Sequence, residues 1–229
     1  MGITPTGNLD PFALRRQSLG VIKIVVAKGF HIPLADAIGV AYDALGQIES
    51  KLDPETVKTT LADFITTRFR FSMVEEGHNQ EFVGSILPFV SKDIYDGYVR
   101  LSALETQKSI EDFQRLMIGF KRVYNITKAM SGDLPIDPAL IDQKEERDLY
   151  ELYESKKDAF QEKLGLRQYP EALAILVGFK ETIDEYFNKV FVMVDDETIR
   201  NNRLSLLAKI KDMFLSYGDF SKIRVEEIR

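Results

Sequence analysis

Apolar residues recur every three or four positions through most of the chain, the spacing that gives a helix one buried face. The clearest stripe is Ile110, Phe113, Met117, Phe120 and Tyr124, opened by Ser109 and Asp112 in a capping-box-like start, and it predicts a helix running to Met130. Asp10-Pro11 and Asp53-Pro54 each set a capping carboxylate before a proline at the first helical position. They predict helices over residues 12–28, stopped by Gly29, and 54–76, stopped by Gly77. Between them an apolar stretch predicts a helix from Leu34 to about residue 52. Shorter helices are predicted over 80–90, disturbed by Pro88, and 94–104. The loop 132–138, with Pro135 and Pro138, separates these from a charged helix over 139–164, a single helix over 170–194 and a last helix over 196–217 before Gly218. No period-two alternation predicts a strand, so the expected class is all-α. The fresh cap at Ser109 puts a boundary near Leu104, giving a helical region over 1–104 and a helical bundle of about four long helices over 105–229.

Composition narrows the functions open to such a chain. With 229 residues, 45% of them hydrophobic, it can fill a real core. A formal charge of -6 argues against wholesale nucleic-acid coating and against DNA as a partner, so any RNA contact must be local. The longest apolar runs, such as 21–27 with Lys23 inside it, fall far short of a membrane span. The absence of cysteine excludes disulfides and thiolate metal sites and fits a reducing compartment, hence the cytoplasm.

Catalytic spacings are missing. His31 sits in a turn beside Gly29 and Pro33, where packing explains it. Glu75-Glu76-Gly77-His78 holds one Glu-x-x-His, but Gly77 breaks the helix and no second copy exists, so no metal site is expected. The 14 glycines form no phosphate-cradling loop. Glu145-Glu146 and Asp195-Asp196 lie at helix starts, where carboxylates complement the dipole.

Positive charge is therefore the informative signal. Lys121, Arg122, Asn125 and Lys128 stand at i, i+1, i+4 and i+7, a cationic strip with an amide beside it, away from the Phe113 and Phe120 stripe. A solvated helix face is the plain alternative. In the last helix, Asn202 and Arg203 fall on the inward side with Leu206, Leu207, Ile210, Phe214 and Tyr217, so they either hold a neighbouring loop or read a ligand, while Arg200 and Asn201 point elsewhere. Arg68 and Arg70 interleave with Phe69 and Phe71, a composition that can stack on bases, although core packing by the aromatics is the simpler reading.

At these residues the sequence resembles the β subunit of the bacterial two-subunit glycyl-tRNA synthetase. The run Pro5-Thr6-Gly7-Asn8-Leu9-Asp10-Pro11-Phe12-Ala13-Leu14-Arg15-Arg16, followed by Leu19-Gly20-Val21, resembles that family's most recognisable signature. Residues 69–77 and Ile86-Leu87 are similar to its middle helical segment, with Glu81 in place of an expected aspartate. Phe120-Lys121-Arg122-Val123-Tyr124-Asn125-Ile126 resembles the start of its anticodon-binding domain. Val192-Met193-Val194-Asp195-Asp196 and Arg200-Asn201-Asn202-Arg203-Leu204 resemble the end of that domain, a helical module shared in form with arginyl-type synthetases.

The resemblance implies a C-terminal piece of an α2β2 enzyme that joins glycine to its tRNA with ATP and magnesium, the catalytic centre lying on the α subunit. No catalytic residue, metal or cofactor is then expected within this chain. Its implied partners are glycine tRNA and the α subunit. The expected RNA-binding residues are Lys121, Arg122, Lys128 and Arg200 at phosphates, Asn125 and Asn201 at an unstacked anticodon base, and Arg203. The rivals are the anticodon domain of an arginyl-type enzyme, disfavoured by the Asp10 to Arg16 signature, and a helical subunit-docking scaffold without direct RNA contact.

Overall fold

A computed structural model describes residues 10, 12–46, 53–107, 111–128, 130 and 135–224. Among these the chain is all-helical apart from loops and an isolated bridge between Pro33 and Asp93. No helix among them is long and apolar enough to cross a membrane. The chain divides into two compact units, residues 1–102 and 103–229.

In the first unit, α3 (Pro54–Glu75) packs against α1 (Leu14–Lys28), α2 (Leu34–Ala44) and α4 (Gln80–Val90). Local chemistry sets the ends. Asp53 accepts a hydrogen bond from the Thr56 amide at 3.0 Å, and Asn79 accepts from the amides of Glu81 and Phe82. Helix α1 starts two residues later than its pattern predicts, after Ala13 takes a left-handed conformation; the Asp10 carboxylate still reaches the amides of Arg15 and Arg16. The proline expected at its first position, Pro11, lies outside the described residues; α2, expected to about residue 52, ends at Ala44, with Gly46 left-handed at φ 67°, and residues 47–52 lie outside the described residues. Gly29 ends α1 with φ 66°, against the ring of Tyr95. Phe69, Met73, Val83 and Ile86 form the core of this unit.

The boundary between the units falls within α5 (Ile94–Glu105). The second unit contains α6 (Glu111–Thr127), α7 (Lys144–Gly165), α8 (Tyr169–Val177), α9 (Lys180–Lys189) and α10 (Glu197–Tyr217), with short 3-10 turns at Pro138–Leu140 and Phe220–Lys222. Its core is a cluster of aromatic rings: Phe120 stacks on Phe214 with centroids 5.0 Å apart, and Tyr217 stacks on Phe220 at 5.7 Å. The Ser109 cap lies outside the described residues.

In the second unit two predicted elements are divided or shortened. The single helix expected over 170–194 is two helices and a loop. Phe179 follows Gly178 in a tight turn, fully buried, and meets Phe214 edge-on, so the chain bends to seat it. Beyond Lys189 the chain leaves the helix, with Val190 extended at φ -96°, ψ 119° and bends at Val192 and Met193. The charged helix expected from 139 begins at Lys144 because Asp137 caps a 3-10 turn and Ile141 is buried in extended form.

Candidate nucleic-acid interface

Helix direction gathers the expected residues at one end of the second unit. Gly119 faces Ile183 and Arg122 reaches Phe187, so α6 and α9 run parallel. Phe113 and Phe120 meet Phe220 and Phe214 respectively, so α6 and α10 run antiparallel. The C-terminal ends of α6 and α9 and the N-terminal end of α10 therefore share one end of the bundle. The N-terminal end of α7 joins them through Glu146 and Arg203. Gly119 permits this approach: a Cβ there would lie 2.9 Å from the Ile183 Cγ2.

The strip on α6 faces away from the core, as its spacing requires. Arg122, Asn125 and Lys128 are exposed and Lys121 is half-buried, whereas Phe113, Leu116, Met117, Phe120 and Val123 are buried. The Arg122 guanidinium is braced rather than loose. It lies 4.5 Å from the centroid of the Phe187 ring and donates to the Phe187 carbonyl at 3.3 Å.

On α10 the inward residues serve the fold. Asn202 is buried, accepts from the Asp137 amide at 2.7 Å and donates to the Asp137 carbonyl at 3.0 Å. Arg203, expected among the RNA contacts, does not belong there. Its side chain is 4% exposed, pairs with Glu146 at 3.3 Å and donates to the Phe191 carbonyl at 3.0 Å. A buried guanidinium satisfied in this way has no path to a phosphate. Glu146 likewise does more than complement the dipole of α7, since it is the buried counter-ion of Arg203. Beside this pair the buried Tyr186 hydroxyl has no hydrogen-bond partner among the described residues; burial, and then the Glu146 carboxylate, push its pKa well up.

Arg200 is half-buried and Asn201 exposed. Arg200 donates to the carbonyls of Val194 at 3.0 Å and Asp195 at 3.4 Å, and Asp196 caps α10 by accepting from the amides of Thr198 and Ile199. The loop between α9 and α10 is thus held by main-chain contacts from two arginines. Along it Val190 and Val192 are buried, while Phe191 and Met193 are 70% and 52% exposed. Phe187, Phe191 and Met193 are absent from the expected site. The signal for Phe191 and Met193 is the Val-Phe-Val-Met-Val run, whose alternation becomes legible only once the segment is known to leave the helix.

The other residues singled out by sequence lie in the first unit. His31 Nδ1 is 3.0 Å from Asp93 and its ring meets Tyr95 edge-on. His78 meets Tyr98 edge-on. Phe69 is buried, but Phe71 is exposed, with the Arg68 guanidinium 4.8 Å from its centroid.

The bundle end can hold charge, offer amides and present aromatic faces; among the described residues it carries no nucleophile and base pair in contact. Among the described residues no three His, Asp or Glu side chains gather to hold a metal ion.

Comparison with known proteins agrees with this geometry. Residues 116–219, within the second unit, match the family model described as the DALR anticodon binding domain, a helical class of domain. Residues 1–88 match the model described as glycyl-tRNA synthetase beta subunit. The glycine–tRNA ligase beta subunit of Geotalea daltonii is 35% identical over 225 residues, covering 97% of this chain and 32% of that protein. Those of Anaeromyxobacter dehalogenans and Vibrio atlanticus are 33% and 35% identical over 99% and 98% of this chain, again covering 32% of each. The chain belongs to the glycyl-tRNA synthetase β-subunit family and spans about a third of the length of these curated relatives.

Proposed function

We propose that this chain is the C-terminal, tRNA-binding part of a glycyl-tRNA synthetase β subunit, and that the end of the bundle formed by α6, α9 and α10 receives the anticodon arm of glycine tRNA. The observation that carries the reading is the outward-facing strip of half-buried Lys121 with exposed Arg122, Asn125 and Lys128, within the segment that matches an anticodon-binding domain. Lys121, Arg122, Lys128 and the outer part of Arg200 meet phosphates, giving salt-dependent and largely sequence-blind affinity. Asn125 and Asn201, each with paired donor and acceptor groups, meet an unstacked anticodon base. Residues 105–229 act as the RNA-binding domain, and residues 1–104 continue the domain that precedes it. The whole enzyme, an α2β2 assembly in the cytoplasm, attaches glycine to its tRNA with ATP and magnesium, and its aminoacylation centre lies on the α subunit.

The test is a titration of the chain with glycine tRNA, an anticodon-swapped variant and an unrelated tRNA. Preference for the first supports the proposal; binding to none of them overturns it.

A second reading applies to residues 1–102, where Ile24, Val40, Leu45 and Phe71 are 59%, 72%, 65% and 58% exposed. So much exposed apolar surface favours a helical docking face for the α subunit or the rest of the β subunit, without RNA contact. Co-elution of a separately made α subunit with the chain, lost on replacing Ile24 and Val40 by serine, supports docking; unchanged co-elution excludes these residues from it.

A further inference from the structure

The loop between α9 and α10 combines three properties that its place in the fold does not require together. First, its backbone is fixed from within the bundle. Arg203 donates to the Phe191 carbonyl at 3.0 Å, and Arg200 donates to the carbonyls of Val194 and Asp195. Asp196 then caps the helix that follows. Second, burial alternates along the segment: Val190 and Val192 are buried, whereas Phe191 and Met193 are left in solvent. A segment with five consecutive apolar residues could have traded Phe191 for a polar one without loss to its own packing. Third, the polar groups around it differ in sign. The α6 strip and Arg122 are cationic, but Asp195, Asp196 and Glu197 close the loop with negative charge. Phosphates are drawn to α6 and repelled from the loop tip, whereas an uncharged base face meets no such penalty.

We infer that Phe191, supported by Met193, is the platform on which one unpaired base of the anticodon loop stacks, making the α9–α10 loop a base-positioning element beside the phosphate-binding strip. This rests on the tRNA-binding reading above and adds to it a residue and a mode of contact. A base stacked on a side chain gains most when the platform is already immobile, since little freedom is lost on binding. The two arginines supply that immobility through main-chain carbonyls, leaving the Phe191 ring uninvolved in the loop's own stability. Met193, exposed two residues further on, offers a polarisable surface that adapts to the rim of a base.

The chain contains no tryptophan, so F191W introduces a single indole as a reporter at the platform. Adding an anticodon stem-loop RNA should quench that indole in proportion to binding, and a blunt RNA duplex of the same length, without unpaired bases, should not. F191A should weaken stem-loop binding about 5- to 100-fold while leaving the salt dependence unchanged, because no charge is removed. Its far-UV circular dichroism and thermal midpoint should stay at the wild-type values, which separates lost stacking from lost fold. Binding without quenching, or unchanged affinity in F191A, overturns the platform and leaves the tRNA-binding reading intact. Shielding of the indole by the α subunit and not by RNA assigns the residue to protein docking and overturns the inference. If the wild-type chain binds no RNA at all, both readings fall together.

Discussion

Arg203 and Glu146 have side chains 4% and 1% exposed, so each compensates the other's charge in the interior of the second unit. Removing one partner strands the other, at a cost of about 3–5 kcal/mol, while replacing both by apolar groups of similar size is close to neutral. Arg203→Met and Glu146→Leu should each lower the free energy of urea unfolding by that amount, and the double variant should recover most of it. Asp112 and Lys180, 2.5 Å apart, tie α6 to α9 at a more open site. The hydrogen bond from Lys180 holds the Asp112 carboxyl below its ordinary value of 3.8. A depressed carboxyl pKa contributes stability that is fully present above the unfolded value and is lost as pH falls through the folded one. The Lys180 pKa is raised above 10.5, chiefly by the same hydrogen bond, so its share persists through neutral pH and goes only in strong alkali. The thermal midpoints of wild type and Asp112→Asn should therefore differ by a constant amount at neutral pH and converge from roughly pH 5 downward. A gap that persists into acid would remove the pair from the account.

Two glycines within helices test what sets the spacing of elements. Gly20 in α1 has nothing within 4 Å of the position a methyl group would take, so Gly20→Ala should stabilise the first unit by up to about 1 kcal/mol through helix propensity alone. At Gly119 in α6 the same methyl would meet the Ile183 Cγ2 at 2.9 Å, and a β-branched side chain cannot swing clear. Overpacking of about 1–3 kcal/mol there should outweigh the same propensity gain, making Gly119→Ala destabilising in urea unfolding. The elements themselves are legible in the sequence where their ends are local chemistry: Asp53-Pro54 and Asp196 cap the helices their positions predict. They are not legible where a distant contact decides. Phe179 bends the predicted 170–194 helix because of Phe214, and no periodicity near Gly178 carries that information. The inward turn of Asn202 and Arg203 can be read from the helical wheel, but their partners Asp137 and Glu146 are 65 and 57 residues away, which is why the sequence alone admits Arg203 as an RNA contact.

For the molecule as a whole, a net charge of -6 means that affinity for RNA comes from a few cations acting against a repulsive background. With Lys121, Arg122, Lys128 and Arg200 as the phosphate contacts, the logarithm of the tRNA association constant should fall with log salt with a slope of about -3, and the Lys121→Glu, Arg122→Glu double variant should reduce that slope to about -1.5. A flat salt response would leave the strip as a solvated helix face. The clamp on the α9–α10 loop has one more consequence. Arg200 and Arg203 grip main-chain carbonyls, and a carbonyl is the same whatever side chain its residue carries. Positions 191 and 193 can therefore change their side chains, since the Phe191 carbonyl is what is held, so the loop is a socket in which the reading surface can be exchanged, and recognition recoded, with the mounting untouched.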